Sequence, residues 1–282
     1  PADYRALYAG RAGKIIQTDV AMEKIYVTPS LKAKDKLTQE ARAWADEIGA
    51  AFVPRRGRTM EELQAAYGED ILVYTSRGPQ LTRAEGTHFF SLNMAELRIQ
   101  HIRRGQTDHL LEAIGAEGPI RLLDCTCGFG ADAITASFAL PAGSVVHGLE
   151  ASPLLEAVTE WGCRYFCHEM DDVTAALRRI QVRRGNYKEY LEDESAPPYD
   201  VLYFDPMFSR PVASSCQFQP VRPIMDHEPL TVESLRLAVK KARRRVVVKG
   251  RYFRELEQAF PQMKRYGGKY SRVGYAVLDG EA

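Results

Sequence analysis

Two segments set an acid behind an apolar run and follow it with residues that turn the chain sharply. The first reads Leu122-Leu123-Asp124-Cys125-Thr126-Cys127-Gly128-Phe129-Gly130-Ala131-Asp132-Ala133, so Gly128, Gly130 and Ala133 fall at GxGxxA spacing. Glycine lets the backbone turn tightly and lets a ligand approach the amides that open the following helix. A dinucleotide site usually sets its first glycine directly behind the strand, to seat a pyrophosphate. Here three residues separate Asp124 from Gly128. A carboxylate at that point repels a pyrophosphate and attracts an ammonium.

The chemistry therefore points to a ligand with an amino acid portion and no phosphate. S-adenosylmethionine fits, with its methionine end near the turn. Glu150, closing the next apolar run, is set to accept ribose hydroxyls, and Asn186 to read the adenine edge. Each residue also has a plainer use: Asp124 as a helix cap, Glu150 as one more acid at a strand end, Cys125 and Cys127 as small apolar fillers. The set taken together favours the ligand. GxGxxA by itself is equally compatible with a nicotinamide-dependent oxidoreductase.

The second segment runs Val201-Leu202-Tyr203-Phe204-Asp205-Pro206-Met207-Phe208. Proline has no amide hydrogen, so the turn presents the Asp205 carboxylate and the Pro206 carbonyl without a competing donor. An exocyclic amine on a nucleobase needs that arrangement, because accepting its hydrogens favours a nitrogen that attacks a methyl carbon. Phe208 is the candidate stacking ring, worth about 1–3 kcal/mol per base. Placement does most of the remaining work. The plainer reading is a strand-ending turn with Phe208 in the core.

The elements that must position these residues alternate. KIYVTP, AAFVPR and DILVYTS read as strands, with helices at LTQEARAWADEIG, led by Thr38, and TMEELQAAYG. They form a small α/β unit ending near Thr87. Residues 91–115 have helical periodicity with a break near Gly105. A longer series follows, with strands at IRLLDC, SVVHGLE, QVRR, YDVLYF and RRVVVK separated by helices, and a closing pair near MKRYGG and RVGYAVLD. Such spacing predicts right-handed crossovers and a mostly parallel sheet, with the helix-free last pair adding an antiparallel strand. Ligands of open α/β sheets bind beyond the carboxyl ends of the strands. Those ends carry Asp124, Glu150, Asn186, Asp205 and Lys249.

Composition is that of an ordinary globular protein: 282 residues, 45% hydrophobic and 27% charged, with a net charge of +1. No apolar run reaches the roughly 18–20 residues that span a bilayer, and the polar start is unlike a signal peptide, so a cytoplasmic location is expected. The five cysteines fit reduced thiols, and neither Cys125/Cys127 nor Cys163/Cys167 has zinc-ligand spacing. No metal is expected. Cations gather between Lys240 and Arg272, either as a solvated face or as a surface for phosphates.

LLDCTCGFGADA, YFDPMF and RRVVVKG together resemble the class I S-adenosylmethionine-dependent methyltransferases, most closely the bacterial ribosomal small subunit methyltransferase J family. The resemblance covers about Phe89 to Asp279. It implies a Rossmann-like α/β methyltransferase domain over 89–282 behind a small N-terminal α/β domain over 1–88. It also implies RNA of the ribosomal small subunit as partner, with transfer to guanine N2 of 16S ribosomal RNA. Carried over by position, it implies cofactor contacts at Ala131 and Asp132, at Glu150 and Ala151, and at Asn186 and Tyr187, with Asp205 between cofactor and substrate. The chain departs from the pattern at Ala131, where arginine is expected, and at Asn186 and Tyr187, where small hydroxyl residues are usual. A methyltransferase with a protein carboxylate or a small molecule as acceptor, and a non-catalytic cofactor-binding protein, are the rival readings.

Overall fold

The computed structural model describes residues 24–92, 94–206, 220–225, 228–267 and 273–281. Its N-terminal sheet has the order β2-β1-β3-β4-β5, from β1 (Tyr26–Pro29), β2 (Ala51–Phe52), β3 (Ile71–Thr75), β4 (Gly78–Arg83) and β5 (Gly86–Phe89). The first three strands are parallel to one another, and β3, β4 and β5 form an antiparallel meander. Helix α1 (Asp35–Glu47) begins three residues before Thr38, with Asp35 in its first turn complementing the helix dipole. Helix α2 (Met60–Tyr67) starts on a reciprocal cap: Glu62 N donates to Thr59 Oγ1 at 3.2 Å, and Thr59 N donates to Glu62 Oε2 at 2.7 Å.

Strands β4 and β5 are absent from the sequence reading, for a physical reason. Their two-residue loops, Ser76-Arg77 and Ala84-Glu85, lack the Asn-Gly or Asp-Gly pair that marks tight hairpins. The positive φ falls instead on the first residue of each returning strand, Gly78 at +100° and Gly86 at +144°.

Helices α3 (Met94–Arg103) and α4 (His109–Ile114), separated at Gly105, lead into the second sheet, of order β11-β12-β10-β9-β6-β7-β8. In chain order this part comprises β6 (Arg121–Asp124), α5 (Ala131–Ala139), β7 (Val145–Glu150), α6 (Pro153–Tyr165), α7 (Asp171–Arg178), β8 (Ile180–Arg184) and α8 (Tyr187–Glu192). It continues with β9 (Val201–Phe204), α9 (Val232–Lys241), β10 (Arg245–Gly250), α10 (Arg254–Ala259), β11 (Lys264–Gly267) and β12 (Gly274–Asp279). Strands β6 to β10 are parallel, while β12 runs antiparallel between β10 and β11, as the helix-free closing pair predicts. The chain winds outward from β6 to β8 and then crosses to β9 on the other side of β6, which puts the switch point between the tips of β6 and β9. Both faces are covered, and Leu202 and Phe204 are fully buried.

The two sheets meet along α6. A Cβ at Gly78 would lie 2.4 Å from the Trp161 ring, and one at Gly162 would lie 1.9 Å from Phe90, so neither position has room for a side chain. Arg164 and Tyr165 both bond Glu47 of α1, at 2.5 and 2.8 Å. The same seam holds two acids one helical turn apart. Burial, reinforced by Glu160, pushes the Glu156 carboxyl up to about 8. Burial likewise pushes Glu160 up to about 7, although Val182 N donates to it at 2.7 Å. Both values lie above those of an unfolded chain, so the folded state binds the extra protons, and stability falls as pH rises from about 4.5 to about 8. Glu156→Gln should leave stability unchanged near pH 4.5 and raise it at pH 8 by on the order of 1–3 kcal/mol. Urea unfolding at the two pH values checks this.

Candidate active site

The turn after β6 is built as its glycines require. Gly128 and Gly130 have φ of +52° and +75°, in the left-handed region open to glycine, and a Cβ at Gly130 would press Thr159 Cγ2 at 3.1 Å. Two links hold the turn. Thr159 Oγ1 donates to the Gly128 carbonyl at 2.9 Å, and Gly128 N donates to Glu150 Oε2 at 2.8 Å. The other Glu150 oxygen accepts from Ser152 N at 2.9 Å, at the start of α6. Glu150 thus fastens the glycine turn to the tip of β7, and its burial is matched by two amide donors.

Asp124 is 1% exposed at the tip of β6 and accepts from Thr126 N at 3.1 Å. Burial, with the negative charge of Asp132 nearby, pushes its carboxyl well above the usual range. Among the described residues no cation lies within ion-pair distance of it. A buried acid without a paired cation among the described residues, beside the glycine turn, could hold the ammonium of an amino acid ligand.

Asp132 departs from the expectation in one respect. It sits in the first turn of α5, but its side chain is turned into the protein. Arg98 Nη1 donates to Oδ1 at 2.5 Å, while Tyr203 OH and Lys249 Nζ both donate to Oδ2 at 2.9 Å. Its main chain is what remains for a ligand. Burial opposes its ionisation, yet Lys249 and Arg98 hold the carboxyl below its ordinary value. Arg98 is also bidentate to Asp108, through Nε to Oδ2 and Nη2 to Oδ1, each at 2.7 Å. Asp108 itself caps α4 by accepting from Leu110 N and Leu111 N. Burial opposes charge at Asp108 too, and Arg98 keeps its carboxyl low.

The acidic turn ends β9, the strand beside β6. Asp205 N donates to Thr126 Oγ1 at 2.7 Å, and Lys249 Nζ, from the tip of β10, donates to Asp205 Oδ2 at 2.8 Å. Burial raises the Asp205 carboxyl, and Lys249 opposes that rise. Asp124, Asp132, Asp205 and Pro206 are therefore gathered at the switch point. Met207 and Phe208 lie outside the described residues.

The other expected contacts line the same edge. Ala131 and Ala151 are half-buried at the starts of α5 and of the β7–α6 connection. Asn186 caps α8, an element missing from the sequence reading, by accepting from Lys188 N at 2.9 Å, and Tyr187 is buried edge-on to Phe204 at 5.4 Å. Sequence reasoning also missed His88 of β5, whose ring stacks on Phe129 of the glycine turn at 4.7 Å. Burial lowers His88 to about 4, so at neutral pH it is an uncharged lid on that turn. The basic stretch is partly consumed by the fold: Lys241 bonds the Asp193 carbonyl, Arg245 the Ala113 carbonyl, and Arg265 pairs with Glu257. Arg243 and Arg254 remain exposed.

Residues 66–274 match the family model described as "Putative SAM-dependent methyltransferase". An uncharacterized protein of Bacillus subtilis (strain 168), YpiP, is 31% identical over 224 residues, covering 79% of this chain and 87% of that protein. The ribosomal RNA small subunit methyltransferase J of Pseudomonas fluorescens (strain Pf0-1) is 27% identical over 216 residues, covering 74% of this chain and 79% of that one. A SAM-dependent methyltransferase from Neisseria gonorrhoeae shares the fold, with a TM-score of 0.58 at 18% identity over 91% of this chain and 96% of the other. No helix among the described residues is long and apolar enough to cross a membrane.

Glu150→Gln replaces one amide-accepting oxygen with a donor that faces another donor, an unmade buried hydrogen bond worth about 1–3 kcal/mol. The variant should bind S-adenosylmethionine at least about tenfold more weakly and melt at lower temperature. Calorimetry and thermal unfolding of the same preparation check both.

Proposed function

Because the chain belongs to the family of S-adenosylmethionine-dependent methyltransferases, we propose that it transfers a methyl group to an exocyclic base amine in RNA, most specifically guanine N2 of 16S ribosomal RNA. The observation that carries this reading is the acidic turn. Asp205 and Pro206 offer two acceptors at the tip of β9, and that turn is bonded directly to Thr126 of the glycine turn. The methyltransferase J relative supplies the substrate class.

S-adenosylmethionine, when bound, supplies a methyl group on a positively charged sulfur that departs as a neutral thioether. The chain's own part is to hold and to orient. Asp124 would hold the donor's ammonium, and the main chain of Gly128, Gly130, Ala131 and Asp132 would hold its methionine end. Glu150 and Ala151 would hold the ribose, and Asn186 and Tyr187 the adenine. On the acceptor side, Asp205 and the Pro206 carbonyl would accept the two amine hydrogens and orient the nitrogen lone pair for attack, which removes much of the orientational barrier. As the N–C bond forms and the S–C bond breaks, the nitrogen would give up one proton to the Asp205 carboxylate. A base inside a duplex cannot reach such a recess, so the target nucleotide enters flipped out of its stack.

Phosphate contacts position a nucleic acid while the pocket selects the base. We assign the backbone contacts to the N-terminal domain, residues 1–88, and to exposed cations such as Arg243 and Arg254, and the chemistry to residues 89–282. Tyr252, 90% exposed and three residues beyond Lys249, offers an aromatic face at the rim for a neighbouring base.

Asp205→Asn should lower methyl transfer to small ribosomal subunits by about 100-fold or more, an effect of the size that loss of one transition-state contact produces. Donor affinity should stay within a few fold of the native protein. Mass spectrometry of 16S ribosomal RNA nucleosides, with calorimetry for the donor, tests the assignment. Full transfer by the variant, or no methylated guanosine from the native protein, would refute it.

A further inference from the structure

Lys249 lies between the two turns that hold the reactants. Its ammonium reaches Asp132 Oδ2 at 2.9 Å, in the first turn of the helix that follows the glycine turn, and Asp205 Oδ2 at 2.8 Å, on the acidic turn. Asp205 is also fixed from its main chain, because its amide donates to Thr126 Oγ1 at 2.7 Å. The residue is therefore held at two points, its amide and one carboxylate oxygen. Its other oxygen, Oδ1, has no partner among the described residues. That oxygen and the Pro206 carbonyl are the two acceptors the amine requires.

A purely structural ion pair explains this poorly. Burying an ammonium and two carboxylates costs several kcal/mol per ion before pairing, and well-packed apolar side chains usually fill such a site at equal or better stability. The site also leaves its acids in excess. Asp205 is faced by Lys249 from β10, Asp132 from α5 and Arg98 from α3, with Asp124 at the tip of β6 and Tyr203 on β9 nearby, while Tyr275 on β12 faces Asp132 and Lys249. Lys249 is the cation that touches Asp205 itself. A shared cation is retained here because it does something apolar packing cannot: it sets the distance between two elements and keeps one carboxylate ionised.

We propose that Lys249 is a positioning residue for methyl transfer: by bridging Asp132 and Asp205 it registers the acceptor turn against the donor turn and holds Asp205 as a carboxylate with Oδ1 turned to the acceptor amine. This rests on the transfer reading above, and it deepens it by giving the acceptor geometry a control outside the acidic turn.

Three variants test it: Lys249→Met, Lys249→Arg and Asp132→Asn. The readouts are the pH profile of transfer at saturating donor, donor affinity by calorimetry, and the titration of the Asp205 carboxyl by carbon-13 NMR. With Lys249→Met, kcat should fall about 100-fold, as a displacement of about 1 Å at a reacting centre can cause. Donor affinity should change less than about threefold, and the acid limb of the profile and the Asp205 titration should both move to higher pH. Lys249→Arg should recover at least a tenth of the native rate. Asp132→Asn, which removes a negative neighbour and leaves the Lys249–Asp205 pair, should move the Asp205 titration to lower pH and cost about tenfold in kcat.

Unchanged kcat in Lys249→Met, or a rate loss without movement of the acid limb, would overturn the proposal. If Lys249→Met does not fold, Asp132→Asn decides, and an Asp205 titration that stays in place or rises overturns it. Should the native protein methylate no RNA, the function assigned above falls, while the NMR titrations still judge the bridge.

Discussion

A carboxylate taken out of water must be met by donors on every side it presents, and Asp132 is the place where this protein meets that demand. Its two oxygens receive Arg98, Tyr203 and Lys249, from α3, β9 and β10. Since Asp132 belongs to the first turn of α5, the element that carries the glycine turn is tied to three others at one point. Arg98 extends the tie to α4 through Asp108. Charge-assisted bonds of this kind are short and directional, so they fix angles as well as distances. The donor turn, the acceptor turn and the helices in front of the sheet cannot shift independently while this hub is intact.

Much of that arrangement was legible in the residues. Strand tips carrying Asp124, Glu150, Asp205 and Lys249 follow from period and punctuation, because a parallel sheet needs its acids at one edge once its strands and crossover helices are counted. Positive φ at Gly128 and Gly130 follows from the spacing of the turn. What stayed hidden depended on tertiary pairing. Arg98 reads as one more charge in an amphipathic helix, and Asp108 as an ordinary cap, until the fold sets them 2.7 Å apart. The inward turn of Asp132 was equally hidden, since a residue one position into a helix reads as available to a ligand. Strands β4 and β5 escaped because their loops carry no hairpin dipeptide, and α8 because its six residues give too short a period to distinguish from a turn.

The missed hairpin matters to the site. By ending in β5, it delivers His88 onto Phe129, at the outer side of the glycine turn. An uncharged ring is suited to that position, because a protonated imidazole beside a turn that receives a cationic donor would oppose binding. The seam along α6 secures the hairpin from behind: Gly78 is pressed to Trp161, and Glu47 is bonded by Arg164 and Tyr165. The N-terminal sheet therefore walls the outer side of the glycine turn.

The balance of charge at the strand tips suits a cationic donor. Asp108, Asp124, Asp132 and Asp205 stand against Arg98 and Lys249, and the excess is negative. Burial raises the Asp124 carboxyl, which has no cation within ion-pair distance among the described residues, whereas at Asp205 the paired Lys249 opposes the same rise. A ligand bearing an ammonium and a sulfonium would favour the ionised form of Asp124. Transfer of the methyl group removes the sulfonium charge and with it part of that attraction. The network around Asp132 is held by Arg98, Tyr203 and Lys249 of the chain itself and does not draw on that charge.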